Sequence, residues 1–260
     1  MKNNRVLSSQ ELAQFGAELD ALKARVTADL DESDARYINN IYKAVNYTEA
    51  AGRGLLFAGI FPPAWIAGTA LLGVSKILEN MELGHNVMHG QYDWMRDPRF
   101  NGKNYEWDIV GTADNWRKTH NFKHHTYTNI KGMDDDVGYG ILRLFPEQRW
   151  RPFYLLQPIY VVLFALLFQW GIAIQDLELG RVLSGKKSKA QLKEEWQPVA
   201  AKVKKQLLKD YVLFPLLAGP FFLPVLLGNL VANGMRNLWT FTIIFFGQFG
   251  ADAEFFAKSV

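Results

Sequence analysis

The sequence predicts an all-α, integral-membrane helical protein that carries a histidine-rich cap. Three observations predict it. Apolar residues recur at helical spacing through residues 8–50. Later apolar stretches approach the roughly 20 residues that a bilayer-spanning helix needs. All five histidines lie between Gly84 and Asn129, four of them in two pairs spaced four residues apart. Hydrophobic residues make up 49% of the chain and aromatics 14%, yet the mean hydropathy is only −0.09. The apolar character is therefore concentrated in segments, as in a membrane protein with large water-facing parts. The 260 residues include no cysteine, which excludes disulfides and thiolate metal sites and agrees with a reducing compartment. A net charge of +3 is too small to suggest nucleic acid as a partner.

No apolar run follows Lys2 and Arg5, so the start does not read as a signal peptide. Ser8 with Glu11 three residues on forms a capping-box pattern. Leu12, Phe15, Leu19, Leu22, Val26 and Leu30 then give an amphipathic helix ending near Asp31–Asp34, with a structural role on the rest of the protein or at the membrane surface. A second helix is expected over residues 35–51, with Tyr37, Ile41, Tyr42 and Val45 on its apolar side. Residues 54–80 read as the first membrane segment, which Pro62 and Pro63 should kink or break. It runs through Lys76, Glu79 and Glu82 into the first histidine pair. Residues 211–231 and 238–250 read as two further membrane segments, joined as a helical hairpin across Asn233–Asn237.

The histidine region, residues 84–129, opens GHNVMHGQYDW and closes THNFKHHTYTN. His85 and His89 are four apart, as are His120 and His124, so on a helix each pair shares one face and can grip one metal ion. His125 points roughly 100° around the helix from His124. Such a cluster is more naturally dinuclear than mononuclear, and imidazole suits iron, zinc, copper or nickel. A zinc peptidase would need HExxH, but the second position here is Asn86. Soluble di-iron carboxylate bundles use two Glu-x-x-His motifs, and only Glu82 with His85 has that spacing. Ordinary core or surface histidines would not be confined to one short region.

HxxxH followed by HxxxHH in these settings, with MDDDVG after the second, resembles the membrane fatty acid desaturase family, close to bacterial acyl-CoA desaturases. The similarity runs from ELAQFGAELD to NLWTFTIIFFG. It implies a single desaturase domain over residues 1–260, with a cytosolic di-iron cap held by His85, His89, His120, His124 and His125. It also implies O2 as co-substrate, and a fatty acyl-CoA or acyl-lipid as substrate in lipid metabolism. The electron donor would be a ferredoxin, a cytochrome b5-like protein or a flavin reductase, and membrane lipids would surround the chain. The bacterial cytoplasmic membrane is the expected location. A membrane hydroxylase with the same metals is the neighbouring alternative.

The family also carries a third box, HxxHH, beyond its last membrane hairpin, and the sequence stops at Val260 before it. Where relatives often place a histidine in a GHF setting, this chain reads Gly247, Gln248, Phe249, so Gln248 is a candidate oxygen ligand. The expectation is a chain truncated at its C-terminus, an incomplete or inactive version or a non-catalytic fragment. Asp93, Asp108, Asp114 and Asp134–Asp136 are candidates to orient the imidazoles. Trp94, Trp107 and Trp116 either line an acyl path or are interfacial aromatics.

Between Arg181 and Lys209 lie nine Lys or Arg, which the positive-inside rule places on the cytoplasmic side. Anionic headgroups or acyl-CoA phosphates would both be drawn to them. If residues 154–174 crossed the bilayer once, this loop and the histidines would be on opposite faces. That stretch, with Pro152 and Pro158 near its start, is therefore expected to be interfacial or re-entrant.

Overall fold

In a computed structural model, the structure describes residues 7–146, 148–250 and 253–256; the Lys2 and Arg5 start lies outside them. The described residues form helices and no strand, with an isolated parallel bridge between Ile130 and Phe256. The chain divides into two units, Met1–Asn40 and Ile41–Val260.

In the first unit, α1 (Ser9–Ala28) starts at a reciprocal capping box. Ser8 Oγ accepts the Glu11 amide, and Glu11 Oε2 accepts the Ser8 amide at 2.9 Å. None of its residues is buried. α2 (Glu32–Phe57) begins in this unit and continues into the second.

In the second unit the apolar stretch 54–80 is not one helix: a turn at residues 58–61 divides it into the end of one helix and the whole of the next. α2 ends at Phe57, and α3 (Pro62–Ile77) starts on the two prolines, whose fixed φ suits a helical first turn. The two helices meet at glycines. A Cβ on Gly52 would lie 2.7 Å from the Leu72 amide nitrogen, and one on Gly68 would lie 3.0 Å from the Gly52 carbonyl oxygen. Without a break, α3 widens into a π-helical segment, Leu78–His85, and closes in α4 (Asn86–Met88). The second histidine pair is built the same way, from α5 (Ala113–Trp116) into a π-helical segment, Arg117–His124. Such i→i+5 segments are rare and concentrate at functional sites.

The stretch 154–174 bends sharply. α6 (Gln157–Leu166) and α7 (Phe168–Gln175) belong to a pair of arms, Pro152–Leu166 and Phe168–Leu183, set 97° apart. After α8 (Leu179–Leu183), α9 (Lys189–Leu207) continues through a π-helical segment, Leu208–Leu213, into α10 (Phe214–Leu217). The chain then reverses at residues 218–221, where Gly219 takes φ 56°, and α11 (Phe222–Gln248) returns.

This corrects the hairpin expected across Asn233–Asn237, because those residues lie inside one continuous helix of 27 residues. Their polarity is spent inside the protein. Asn233 donates to Asp210 at 3.0 Å, Asn237 donates to the Leu166 carbonyl at 2.7 Å, and Arg236 is buried. A polar run that faces partners cannot be told from a solvent turn by composition. The true reversal falls within the stretch 211–231, which is therefore not one continuous helix either.

Among the described residues no single helix is long and apolar enough to cross a membrane; only the bent pair around Leu167 has the combined length and composition. The basic region lies directly against the loop between the histidine pairs. Lys202 donates to the Trp107 carbonyl at 2.8 Å, Gln206 to Asp108 at 2.7 Å, and Lys118 reaches Glu195 at 3.2 Å. Surfaces in contact cannot sit on opposite faces of a bilayer. Val110, Ala173, Leu177 and Val199 form the apolar core beneath that contact.

Candidate metal centre

The two wide helical segments bring all five histidines together. His85 Nε2 and His89 Nε2 are 3.0 Å apart. The His120 ring lies 5.4 Å from both of those rings, 5.0 Å from His124 and 4.8 Å from His125, centroid to centroid. His125, the most exposed of the five, closes the circle at 4.8 Å from His89. Asn121 ties the second pair to the first by donating to the Met88 carbonyl at 2.8 Å. Arg117 fastens the same helix to the intervening loop through the carbonyls of Gly102 and Tyr105.

Two ligand groups emerge. Nitrogens of His85, His89 and His120 lie within 4.8 Å of one another, and so do donor atoms of His120, His124 and Asp136. Gln248, at the end of α11, places its amide 3.2 Å from His124 Nδ1 and 3.4 Å from Nε2. Of the carboxylates singled out in sequence, only two touch imidazoles. His120 Nδ1 donates to Asp136 at 3.0 Å, and His124 Nδ1 donates to both oxygens of buried Asp134 at 3.0 Å. With Nδ1–H so engaged, each Nε2 keeps its lone pair for a metal.

The other carboxylates serve elsewhere. Asp93 accepts the Gly102 amide, Asp108 takes Lys209 and Gln206, Asp114 pairs with Arg117 and Asp135 with Lys123. Trp116 stacks on His120 at 4.5 Å and, with Trp107, lines a cavity of about 60 Å³ beside His85 and His120. Phe168, Ile172 and Ile244 supply more of its apolar wall, whereas Trp94 is exposed and apart. Sequence reasoning missed Glu178, which binds lysines on both sides of His120; the five-residue spacing of Lys118 and Lys123 was the available signal.

The donor set fits a metal. Burial, reinforced by the other histidines, holds His85 down to about 3 from the ordinary 6.5, and burial with His120 and His125 holds His89 to about 4. Both are neutral near pH 7, as ligating imidazoles must be. His125 is also lowered, by burial and then by His120 and His124. His124 runs the other way: burial pushes it down, but the Asp134 hydrogen bond and the charges of Asp136 and Asp134 outweigh that and raise it.

A pH dependence follows for the metal-free protein. Below about 6.5 the unfolded chain takes up protons that folded His85 and His89 refuse until about 3 and 4, so their contribution to stability falls as pH drops through that window. His124 opposes this, and so do Glu79 and Asp176, whose carboxyls burial raises to about 7 and which therefore take up protons in the folded chain first. Comparing wild type with His85→Gln isolates the histidine's share: between pH 7 and pH 5 the melting temperature of the metal-free variant is expected to fall less, or rise more, than that of the metal-free wild type. The same change in both proteins would contradict the burial of His85.

Comparison with known proteins places this geometry. A fatty acid desaturase family model matches residues 61–256. The NADPH-dependent stearoyl-CoA 9-desaturase of Mycobacterium tuberculosis is 44% identical over 257 residues, covering 97% of this chain and 60% of that protein. The sn-1 linoleoyl-lipid 6-desaturase of Synechocystis is 33% identical over 123 residues, 45% of this chain and 31% of that one. The acyl-lipid (8-3)-desaturase of Mortierella alpina is 26% identical over 140 residues, 47% of this chain and 30% of that one. The chain thus spans about 60% of the length of the mycobacterial relative. No solved structure matches it. The match over most of the sequence, on a helical scaffold that gathers the five histidines, makes this chain a member of the fatty acid desaturase family.

Proposed function

We propose that the chain forms the metal-binding part of an O2-dependent desaturase that installs a double bond in a fatty acyl chain, carried as acyl-CoA or acyl-lipid. The observation that carries this reading is the convergence of five imidazoles beside an apolar, tryptophan-lined cavity. His85, His89, His120, His124 and His125 would hold two iron ions, with Gln248 offering a further oxygen. The chemistry that bound iron supplies is O2 reduction and removal of hydrogen atoms from methylenes that have no acidic proton.

The chain's own residues do the rest. Asp134 and Asp136 fix the tautomers of His124 and His120, Trp116 sets the plane of His120, and the cavity walls exclude water from an apolar chain segment. Electrons would come from a separate donor, a ferredoxin, a cytochrome b5-like protein or a flavin reductase.

We also infer attachment to a membrane, with the histidines on the cytoplasmic side. Supporting this, the helix from α9 to α10 exposes Lys189, Lys193, Lys204 and Lys205, and then Leu207, Leu208, Val212, Leu213, Leu216 and Leu217. An exposed apolar run of that length needs a cover, and lysines at its edge suit anionic headgroups.

The experiment is iron analysis and product mass on purified protein with reductant, O2 and an acyl substrate. The expected product has lost two hydrogens, and stripping the iron abolishes it. A product that gains oxygen identifies a hydroxylase, and desaturation that survives complete iron removal overturns the reading.

A further inference from the structure

The backbone at Glu178 is left-handed, with φ 48° and ψ 45°, a conformation that a side chain with a Cβ adopts only under strain. Glycine would sit there freely. What the glutamate brings instead is a carboxylate buried to 4% side-chain exposure and bound by three cations. Lys118 reaches its Oε2 at 3.0 Å, Arg181 reaches its Oε1 at 2.9 Å, and Lys123 also binds Oε1.

Two of these cations come from the helix that carries His120 and His124. Lys118 and Lys123 are five residues apart, and on an α-helix such residues point about 140° away from each other. One carboxylate could not then hold both. The segment Arg117–His124 is π-helical, and its i→i+5 repeat brings residues five apart back to the same side. Each lysine has a further partner, Glu195 for Lys118 and Asp135 for Lys123. Neither of those carboxylates bridges the pair. The contact to Glu178 is therefore tied to the width of the turn that aims the second histidine pair, and local strain is retained where that contact is made.

We propose that Glu178 is a positioning residue for the second histidine pair, its carboxylate clamping Lys118 and Lys123 so that the segment Arg117–His124 keeps the wide turn its histidines require. This rests on the metal-binding reading above. Without the clamp, the segment relaxes toward α-helical winding, and His120, His124 and His125 rotate relative to His85 and His89. The metal geometry changes even though every ligand is still present.

The test is titration of Co(II) alone into the metal-free full chain, read by its visible ligand-field absorption, for wild type, Glu178→Gln and Glu178→Gly. Both variants lose the clamp, and the glycine variant also removes the backbone strain. The expected result is Co(II) affinity weakened roughly 10–100-fold, the scale of losing an outer support of a ligand, with altered absorption bands in both variants. Glu178→Gly should melt no lower than Glu178→Gln. If either variant fails to fold, Lys118→Met and Lys123→Met break the same bridge from its other end and should shift the bands in the same sense. Bands and affinity within threefold of wild type in the folded variants overturn the proposal. A wild-type chain that binds no Co(II) overturns the metal reading itself, and this proposal with it.

Discussion

On the function proposed above, His120→Ala is expected to abolish desaturation and to strip metal from both halves of the site, the largest loss of activity of any single replacement. His120 is the one residue in both ligand groups. Its ring touches those of His85, His89, His124 and His125 and lies stacked on Trp116. Removing it leaves Asp136 Oδ2 without its imidazole partner at 3.0 Å, facing His124 Nδ1 at 3.9 Å, while Gln175 still donates to Oδ1. Losing an outer partner of a ligand costs about 10–100-fold in metal affinity or activity, and losing a shared ligand should exceed the top of that range. His125→Ala, at the exposed rim, should cost less. Metal per chain by elemental analysis and product by mass spectrometry give the readout, with a melting curve to confirm folding. A folded His120→Ala protein that kept its metals and a tenth of its activity would refute the shared position.

The histidines were legible in sequence because their chemistry is concentrated. Five of one residue type in one short region, at helical spacing, leave few uses other than a common centre. The two prolines at 62 and 63 were legible as a break, since a missing amide acts locally. What was not legible depends on distant partners. Asn233 and Asn237 read as a turn because their acceptors, Asp210 and the Leu166 carbonyl, are 23 and 71 residues away. The carboxylates at 93, 108 and 114 looked equivalent to those at 134 and 136 until the fold assigned each a cation, an amide or an imidazole. The π-helical width of both histidine segments leaves no periodicity signal over eight residues. Only the Lys118 and Lys123 spacing carries a trace of it.

Asp210→Asn is expected to cost about 3–5 kcal/mol of stability, because it leaves buried cations without their charge partner. Asp210 is 1% exposed and joins four parts of the second unit. Its carboxylate binds Arg53 of α2 at 3.1 Å and Lys76 of α3 at 2.7 Å, and it accepts from Asn233 of α11 at 3.0 Å. Glu49 remains for Arg53 at 2.8 Å, but Lys76 has no other anionic partner among the described residues. At about 2–4 °C per kcal/mol, the melting temperature should fall by roughly 10 °C. The exposed pair Arg99–Asp97, at 2.6 Å with the arginine 49% exposed, supplies the contrast. Asp97→Asn should cost less than about 1 kcal/mol, since solvent screens such pairs. The consequence of the Asp210 change reaches the metal site, because α3 continues unbroken from Lys76 to His85, a rise of roughly 14 Å along one helix. Loosening Lys76 frees the base of the helix that carries the first histidine pair, so metal content should fall with stability. Melting within 2 °C of wild type, with full metal content, would show that this buried cluster does not hold the helices in register.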